Sequence, residues 1–323
     1  MKIMYCLFLI CVLMISACSA APSAVSILPT IQIAPQTETS TPTSTFTPVP
    51  TLIPTETITL TPLPPLVSFS PILFRRYVDR YYSFQVLGGF QDGTWITDSE
   101  TYKRLKFDQP YDVYGLNGFI DAVEVEDYFG VVGATSVEIE PYCGAHYISS
   151  NLGGESQILF GFAKGWNVTL RPFIETAVDT PVYQQAVAEW LTSQGIAQPD
   201  VQITRILRTD IEGDGMDEIF ISATRFKDPS TPLTEFGDYS IVIMRKISGS
   251  KVVTIPLAVD VYHSAQPEPT YPYTYLLSSF IDLNQDGYLE VVLDVTRWEG
   301  TGTIVYEVKD LSTIQVMKEI CAE

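Results

Sequence analysis

Asp282-Leu-Asn284-Gln-Asp286-Gly287-Tyr288-Leu-Glu290 carries oxygen-bearing side chains at positions 1, 3, 5 and 9, with glycine at position 6. The same spacing occurs earlier in the chain, as Asp210-Ile-Glu212-Gly-Asp214-Gly215-Met216-Asp-Glu218. A hard cation such as Ca²⁺ takes about six to eight oxygens at about 2.3–2.6 Å, and alternate residues of a tightly curled loop can aim theirs at one point. Glycine at position 6 permits the sharp turn, and the carbonyl of position 7, Met216 or Tyr288, can add a ligand. Each loop runs into an apolar, β-prone stretch, Ile219-Phe-Ile221 and Val291-Val-Leu293, and is preceded by another. The expectation is strand, calcium loop, strand, twice over. A plain polar β-turn is the alternative for either copy.

Neither loop is an EF-hand, because position 12, which needs a carboxylate, is Ile221 or Leu293. The acid spacing between strands instead resembles the calcium loops of FG-GAP and VCBS repeats, the type found in integrin-like propellers. That resemblance implies a ligand set of Asp210, Glu212, Asp214 and Glu218, then Asp282, Asn284, Asp286 and Glu290. Two loops fall short of the at least about four blades that a propeller needs, so a full propeller is not expected.

The N-terminus reads as an export signal. Lys2 is followed by a nearly unbroken apolar run over residues 3–15, shorter than the roughly 20 residues that span a bilayer. The run ends in Ile15-Ser16-Ala17-Cys18, which resembles the bacterial lipobox. The resemblance implies a signal peptide over residues 1–17, lipidation of Cys18, and an extracytoplasmic protein anchored to a bacterial cell membrane or outer membrane. More than one acyl chain is needed for stable anchoring. An ordinary signal cut after Ala17 or Ala20 is the alternative. Residues 18–66 are then rich in Thr and Pro and almost free of charge. Proline removes amide donors and favours extended geometry, so this stretch is expected to be a disordered stalk reaching on the order of 100 Å.

Residues 67–178 read as a β-rich domain, a small barrel or sandwich of short strands separated by Gly88-Gly89 and Asp92-Gly93 turns. A hairpin is expected from residues 157–162 and 166–170 around Ala163-Lys-Gly165. Residues 179–323 read as an α+β domain holding both acidic loops. Its one helix opens at Thr180-Pro181 and stops near Gly195, with Val182, Ala186, Val187, Trp190 and Leu191 on one stripe. The fold class is therefore α+β, predominantly antiparallel β: a β-rich barrel or sandwich followed by a sheet with one packed helix.

Nineteen basic against 38 acidic residues give a formal charge of −19. Such a surface repels nucleic acid, so no nucleic-acid partner is expected. Two cysteines remain beyond Cys18 and the signal: Cys143 and Cys321. In an oxidising compartment they are candidates for a disulfide, although spacing in sequence cannot bring their Cα atoms together. Cys143-Gly-Ala-His146 places a thiol near an imidazole, but no second Cys/His pair completes a zinc site. No Gly-x-Ser-x-Gly, His-Glu-x-x-His or phosphate-binding glycine loop is present. Tyr271, Tyr273 and Tyr275 alternate and, with Trp298, are candidates for an aromatic platform for carbohydrate or protein ligands, or else for core packing. The expected function is a non-catalytic binding or adhesion role. A polysaccharide-acting hydrolase with structural calcium is the alternative, since it needs only two suitably placed carboxylates.

Overall fold

The computed structural model describes residues 67–78, 81–107, 109–127, 147–150, 152, 158–266, 268–298 and 300–322. Cys18, the signal and stalk, Cys143 and His146 lie outside these residues, as does the side chain of Cys321. The described residues belong to one compact unit.

Three antiparallel sheets make up this unit. The first contains β1 (Phe69–Val78), β2 (Tyr81–Gln91), β3 (Thr94–Ile96), β4 (Tyr111–Gly115), β5 (Gly118–Val123), β6 (Val125–Asp127), β7 (Tyr147–Ser150) and β8 (Leu159–Ala163). Its order is β5-β4-β8-β1-β2-β7-β6, with β3 hydrogen-bonded to β2, and helix α1 (Asp98–Tyr102) follows β3. The second sheet is β13-β12-β11-β10-β9, built from β9 (Ile174–Glu175), β10 (Ile203–Thr209), β11 (Glu218–Arg225), β12 (Tyr239–Ser248) and β13 (Lys251–Val261). The third runs β14-β15-β16-β17 in chain order: β14 (Thr274–Ile281), β15 (Glu290–Arg297), β16 (Gly300–Lys309) and β17 (Ser312–Ala322). No sheet closes into a barrel, and no propeller forms among the described residues.

Helix α2 (Pro181–Ser193) covers the outer face of the second sheet. Pro181 sits in its first turn, and Gly195, at φ +96°, lies just beyond its C-terminus. Ala186, Val187 and Leu191 are buried as the apolar stripe requires, whereas Val182, in the first turn, is exposed. Thr180 occupies the N-cap position without a capping bond; its hydroxyl donates instead to the Ala177 carbonyl.

The third sheet is sandwiched between the other two, which explains the unbroken apolar runs flanking the acidic loops. Side chains alternate across a strand, so Val291, Leu293 and Val295 pack toward Leu207, Phe220 and Val242 of the second sheet. Ile281, Val292 and Val305 point the other way, toward Ile72, Phe160 and Phe162 of the first. At the inner interface the Phe220 and Phe280 rings lie 4.7 Å apart. Each such fully buried side chain stabilises by about 1.5–3 kcal/mol through removal of apolar surface from water.

Candidate functional site

Both acidic stretches are the hairpin loops of adjacent antiparallel strands, 210–218 joining β10 to β11 and 282–290 joining β14 to β15. Their backbones share one conformation. Positions 4 and 6 are left-handed in each: Gly213 (φ +75°) and Gly215 (φ +88°), then Gln285 (φ +66°) and Gly287 (φ +86°). An added Cβ at Gly215 or Gly287 would meet nothing within 4 Å, so the constraint is the backbone angle rather than space.

The position-1 aspartates shape the loops. Asp210 accepts the amides of Gly213 (2.6 Å), Asp214 (3.1 Å) and Gly215 (2.8 Å). Asp282 likewise accepts Gln285 (2.7 Å) and Gly287 (3.1 Å). The position-5 acids, Asp214 and Asp286, accept the amides of Met216 and Tyr288. Position 9 closes each loop on itself: Glu218 accepts the Ile211 amide at 3.1 Å, and Glu290 accepts Leu283 at 2.6 Å.

Strand register then sets the two apart. Ile219 pairs with Arg245, and the next step of that ladder puts Lys246 opposite Glu218. Val291 pairs with Tyr306, and the equivalent step puts Glu307 opposite Glu290. The first loop therefore receives an ammonium and the second a further carboxylate. Lys246 Nζ bonds Glu212 and lies 3.9 Å from Glu218. Burial pushes the Glu218 carboxyl up to about 7, against the pull of the Ile211 amide and Lys246. Burial also raises Asp210, but the amides of Gly215, Gly213 and Asp214 and the charge of Arg171 together bring it below the usual range.

In the second loop, carboxylate oxygens of Asp286, Glu290 and Glu307 all lie within 4.8 Å of one another. That span is about twice a Ca²⁺–oxygen distance, so one cation can reach all three. Asn284 lies beside them, its Nδ2 donating to Glu290 (3.0 Å), Asp286 and Glu307 (both 3.3 Å). The neighbouring base is the half-exposed Lys309, whose Nζ is 2.7 Å from Glu307 and 3.1 Å from Asp286. Glu290 is 1% exposed. Burial, reinforced by the charges of Asp282, Asp286 and Glu307, holds its carboxyl well above the carboxylate range. Asp282 is raised as well, chiefly by burial. A divalent ion would relieve this like-charge crowding, and the oxygen-only donor set suits a hard cation.

A strap over residues 166–173, where a β-hairpin arm was expected, holds both loops. Trp166 Nε1 donates to the Leu283 carbonyl (3.2 Å), Asp282 donates to Thr169 O (3.1 Å), and Thr209 Oγ1 to Pro172 O (3.1 Å). Arg171 spans the pair, with Nη1 on Ile211 O at 2.9 Å and Nη2 on Gly287 O at 2.7 Å. The loops also meet directly, Leu289 N donating to Ile211 O at 2.9 Å. The backbone carbonyls of Thr169 and Pro172 are thus engaged by the loop roots, and the segment stays irregular instead of pairing with β8.

Comparison with protein-family models, curated proteins and solved structures finds no match. Among the described residues, no helix is long and apolar enough to cross a membrane.

Glu307 escaped the sequence reading because it belongs to an alternating strand, and only the β15–β16 register carries it to the loop. The aromatic residues divide. Tyr275 is buried in the core with its hydroxyl on Asp260 (3.2 Å), while Tyr271 and Trp298 are exposed. Tyr271 takes a left-handed backbone, φ +48°, which breaks the extended alternation that would have aligned all three tyrosines. One further acid pair lies apart from the loops: Glu319 of β17 is hydrogen-bonded to Asp98 of α1. They line a cleft of about 190 Å³ together with Trp95 and Met317.

Proposed function

We propose that this chain is a bacterial surface lipoprotein that acts by binding, with an ectodomain stiffened by a divalent cation at Asp286, Glu290 and Glu307. Calcium is the ion that suits an all-oxygen cradle of this size. The observation that carries the reading is the convergence of three carboxylates, one of them deeply buried, on a loop strapped to both neighbouring sheets. The lipobox-like Cys18 and the Thr/Pro stalk support a tethered, extended presentation at the cell surface. Asn284 and the loop-shaping Asp282 hold the cradle, and Lys309 would swing aside when the ion enters. In the first loop the nearly buried Lys246 is held in place on Glu212, whereas Lys309 beside the second loop is half-exposed and free to leave, so a single ion is expected per molecule.

At the one cleft shared by an acid pair noted above, the spacing favours binding over hydrolysis. Glycoside hydrolysis needs two carboxyls about 5–9.5 Å apart to admit a sugar or water. Asp98 and Glu319, which share a cleft, instead touch directly.

Equilibrium dialysis of the full chain in detergent against calcium tests the cation. One ion bound per chain, lost in Asp286→Asn with Glu307→Gln, is the expected result, and no uptake retires the metal. Detergent-phase partitioning that Cys18→Ser moves to the aqueous phase tests the anchor.

A further inference from the structure

At the end of the third sheet remote from the acidic loops, a groove of about 350 Å³ is lined by Phe226, Pro232, Pro272, Thr296, Arg297 and Trp298. Strand β14 separates the two ends by eight residues, roughly 25 Å at about 3.3 Å per residue. The groove's size lies at the lower end of the ~300–1,000 Å³ typical of small-ligand pockets.

Its charge is out of keeping with the molecule. In a chain of formal charge −19, Arg297 lines this groove with no carboxylate partner among the described residues. Its guanidinium instead lies over the rings of Tyr271 (5.6 Å) and Tyr273 (5.9 Å), and its buried Nε has no hydrogen-bond partner. Stacking on aromatic faces orients a guanidinium while leaving its in-plane N–H groups free for an incoming anion.

The wall that orients Arg297 is held against strain. Tyr271 sits at φ +48°, a conformation that a bulky residue keeps only when its surroundings impose it. The Pro232 carbonyl imposes it by accepting the amides of Thr270 (2.9 Å) and Tyr271 (3.1 Å). The loop that carries Pro232 is in turn organised by the buried Asp238, which accepts Arg225 Nη1 (2.6 Å), the Lys227 amide (2.9 Å) and the Glu235 amide (2.8 Å).

We infer that this groove binds an acidic saccharide, the carboxylate seated on Arg297 and a pyranose face stacked on Trp298. Trp298 is 46% exposed and offers a flat π surface to sugar C–H groups. Thr231, Thr274 and Thr296 bring hydroxyls to the same walls. The inference rests on the binding role proposed above and names its ligand class.

Calorimetric titration of the full chain in detergent, without added calcium, tests it with trigalacturonate and its neutral counterpart galactotriose. Trigalacturonate is expected to bind more tightly, and raised salt to weaken it alone. Arg297→Gln should cost about tenfold or more on the acidic sugar and little on the neutral one, as loss of a charge-assisted fork requires. Trp298→Ala should weaken both about fivefold through lost stacking, and Arg297→Lys should keep part of the preference. Equal binding of the two sugars, an undiminished preference in Arg297→Gln, no binding of either, or tighter binding of a peptide spanning residues 39–65 would each overturn the inference. Calcium uptake should be unchanged in all three groove variants, so failure here is separable from failure of the cation site.

Discussion

Exchanging Glu307 for lysine should do for the second loop what Lys246 does for the first. Both residues occupy the position opposite the loop-closing glutamate, Glu290 or Glu218, on the next strand of the ladder. Glu307→Lys replaces one negative charge by one positive, a change of two units, which is the charge a calcium ion brings. A ligand that binds the native state alone stabilises by RT ln(1 + [L]/Kd), about 2.7 kcal/mol at a hundredfold excess over Kd. For a body of this size about 2–4 °C of Tm accompanies each kcal/mol, so native protein should melt about 5–11 °C higher in millimolar calcium than in chelator. In Glu307→Lys the new ammonium faces Asp286 and the buried Glu290. The calcium-dependent difference should shrink below about 1 °C. The assay is a thermal melt followed by near-ultraviolet circular dichroism, with and without chelator. A full calcium response in Glu307→Lys, or none in the native chain, would show that the three carboxylates do not share an ion.

Arg171→Met should destabilise whether or not metal is present, because it removes two bonds from a charged donor to the Ile211 and Gly287 carbonyls. About 3 kcal/mol is expected by urea titration, since Ile211 O keeps the Leu289 amide; a loss under about 1 kcal/mol would deny the strap its role. Gly287→Ala should cost about 1–2 kcal/mol through its left-handed backbone, whereas Gln285→Gly should be neutral or stabilising; the order of the two melting temperatures checks this. Burial and the adjacent Asp98 push the Glu319 carboxyl up to about 8. The folded chain therefore holds this proton after the unfolded chain, with a pKa of about 4.3, has released it. That contribution is complete below about pH 4 and is lost as pH rises through about 8. In denaturant titrations the decline should be shallower in Asp98→Asn.

Much of this architecture is legible in local pattern. Alternation and turn residues disclose antiparallel sheet, Pro181 and Gly195 bracket the helix, and repeated Asp/Gly spacing marks two hairpin loops of matching backbone. These features depend on neighbours within a turn or a strand, where backbone angles and side-chain period set the outcome. Residues 166–170 mislead because their β-like composition serves another purpose: the donors and acceptors around them are spent on the roots of the acidic loops. Tyr271 misleads for a related reason, its backbone being turned by a carbonyl 39 residues away in the chain, that of Pro232.

What the linear chain determined by itself is the doubled loop and the acidic balance. Only tertiary structure decided that the second loop gathers Glu307 while the first receives the nearly buried Lys246. Lys246 and Glu307 sit in unremarkable alternating strands, and their meaning comes from hydrogen-bond register, which pairs residues far apart in sequence. The same holds for Arg297, which among the described residues meets the faces of Tyr271 and Tyr273 rather than a carboxylate. Charge is written residue by residue, but its neutralisation depends on distance in space.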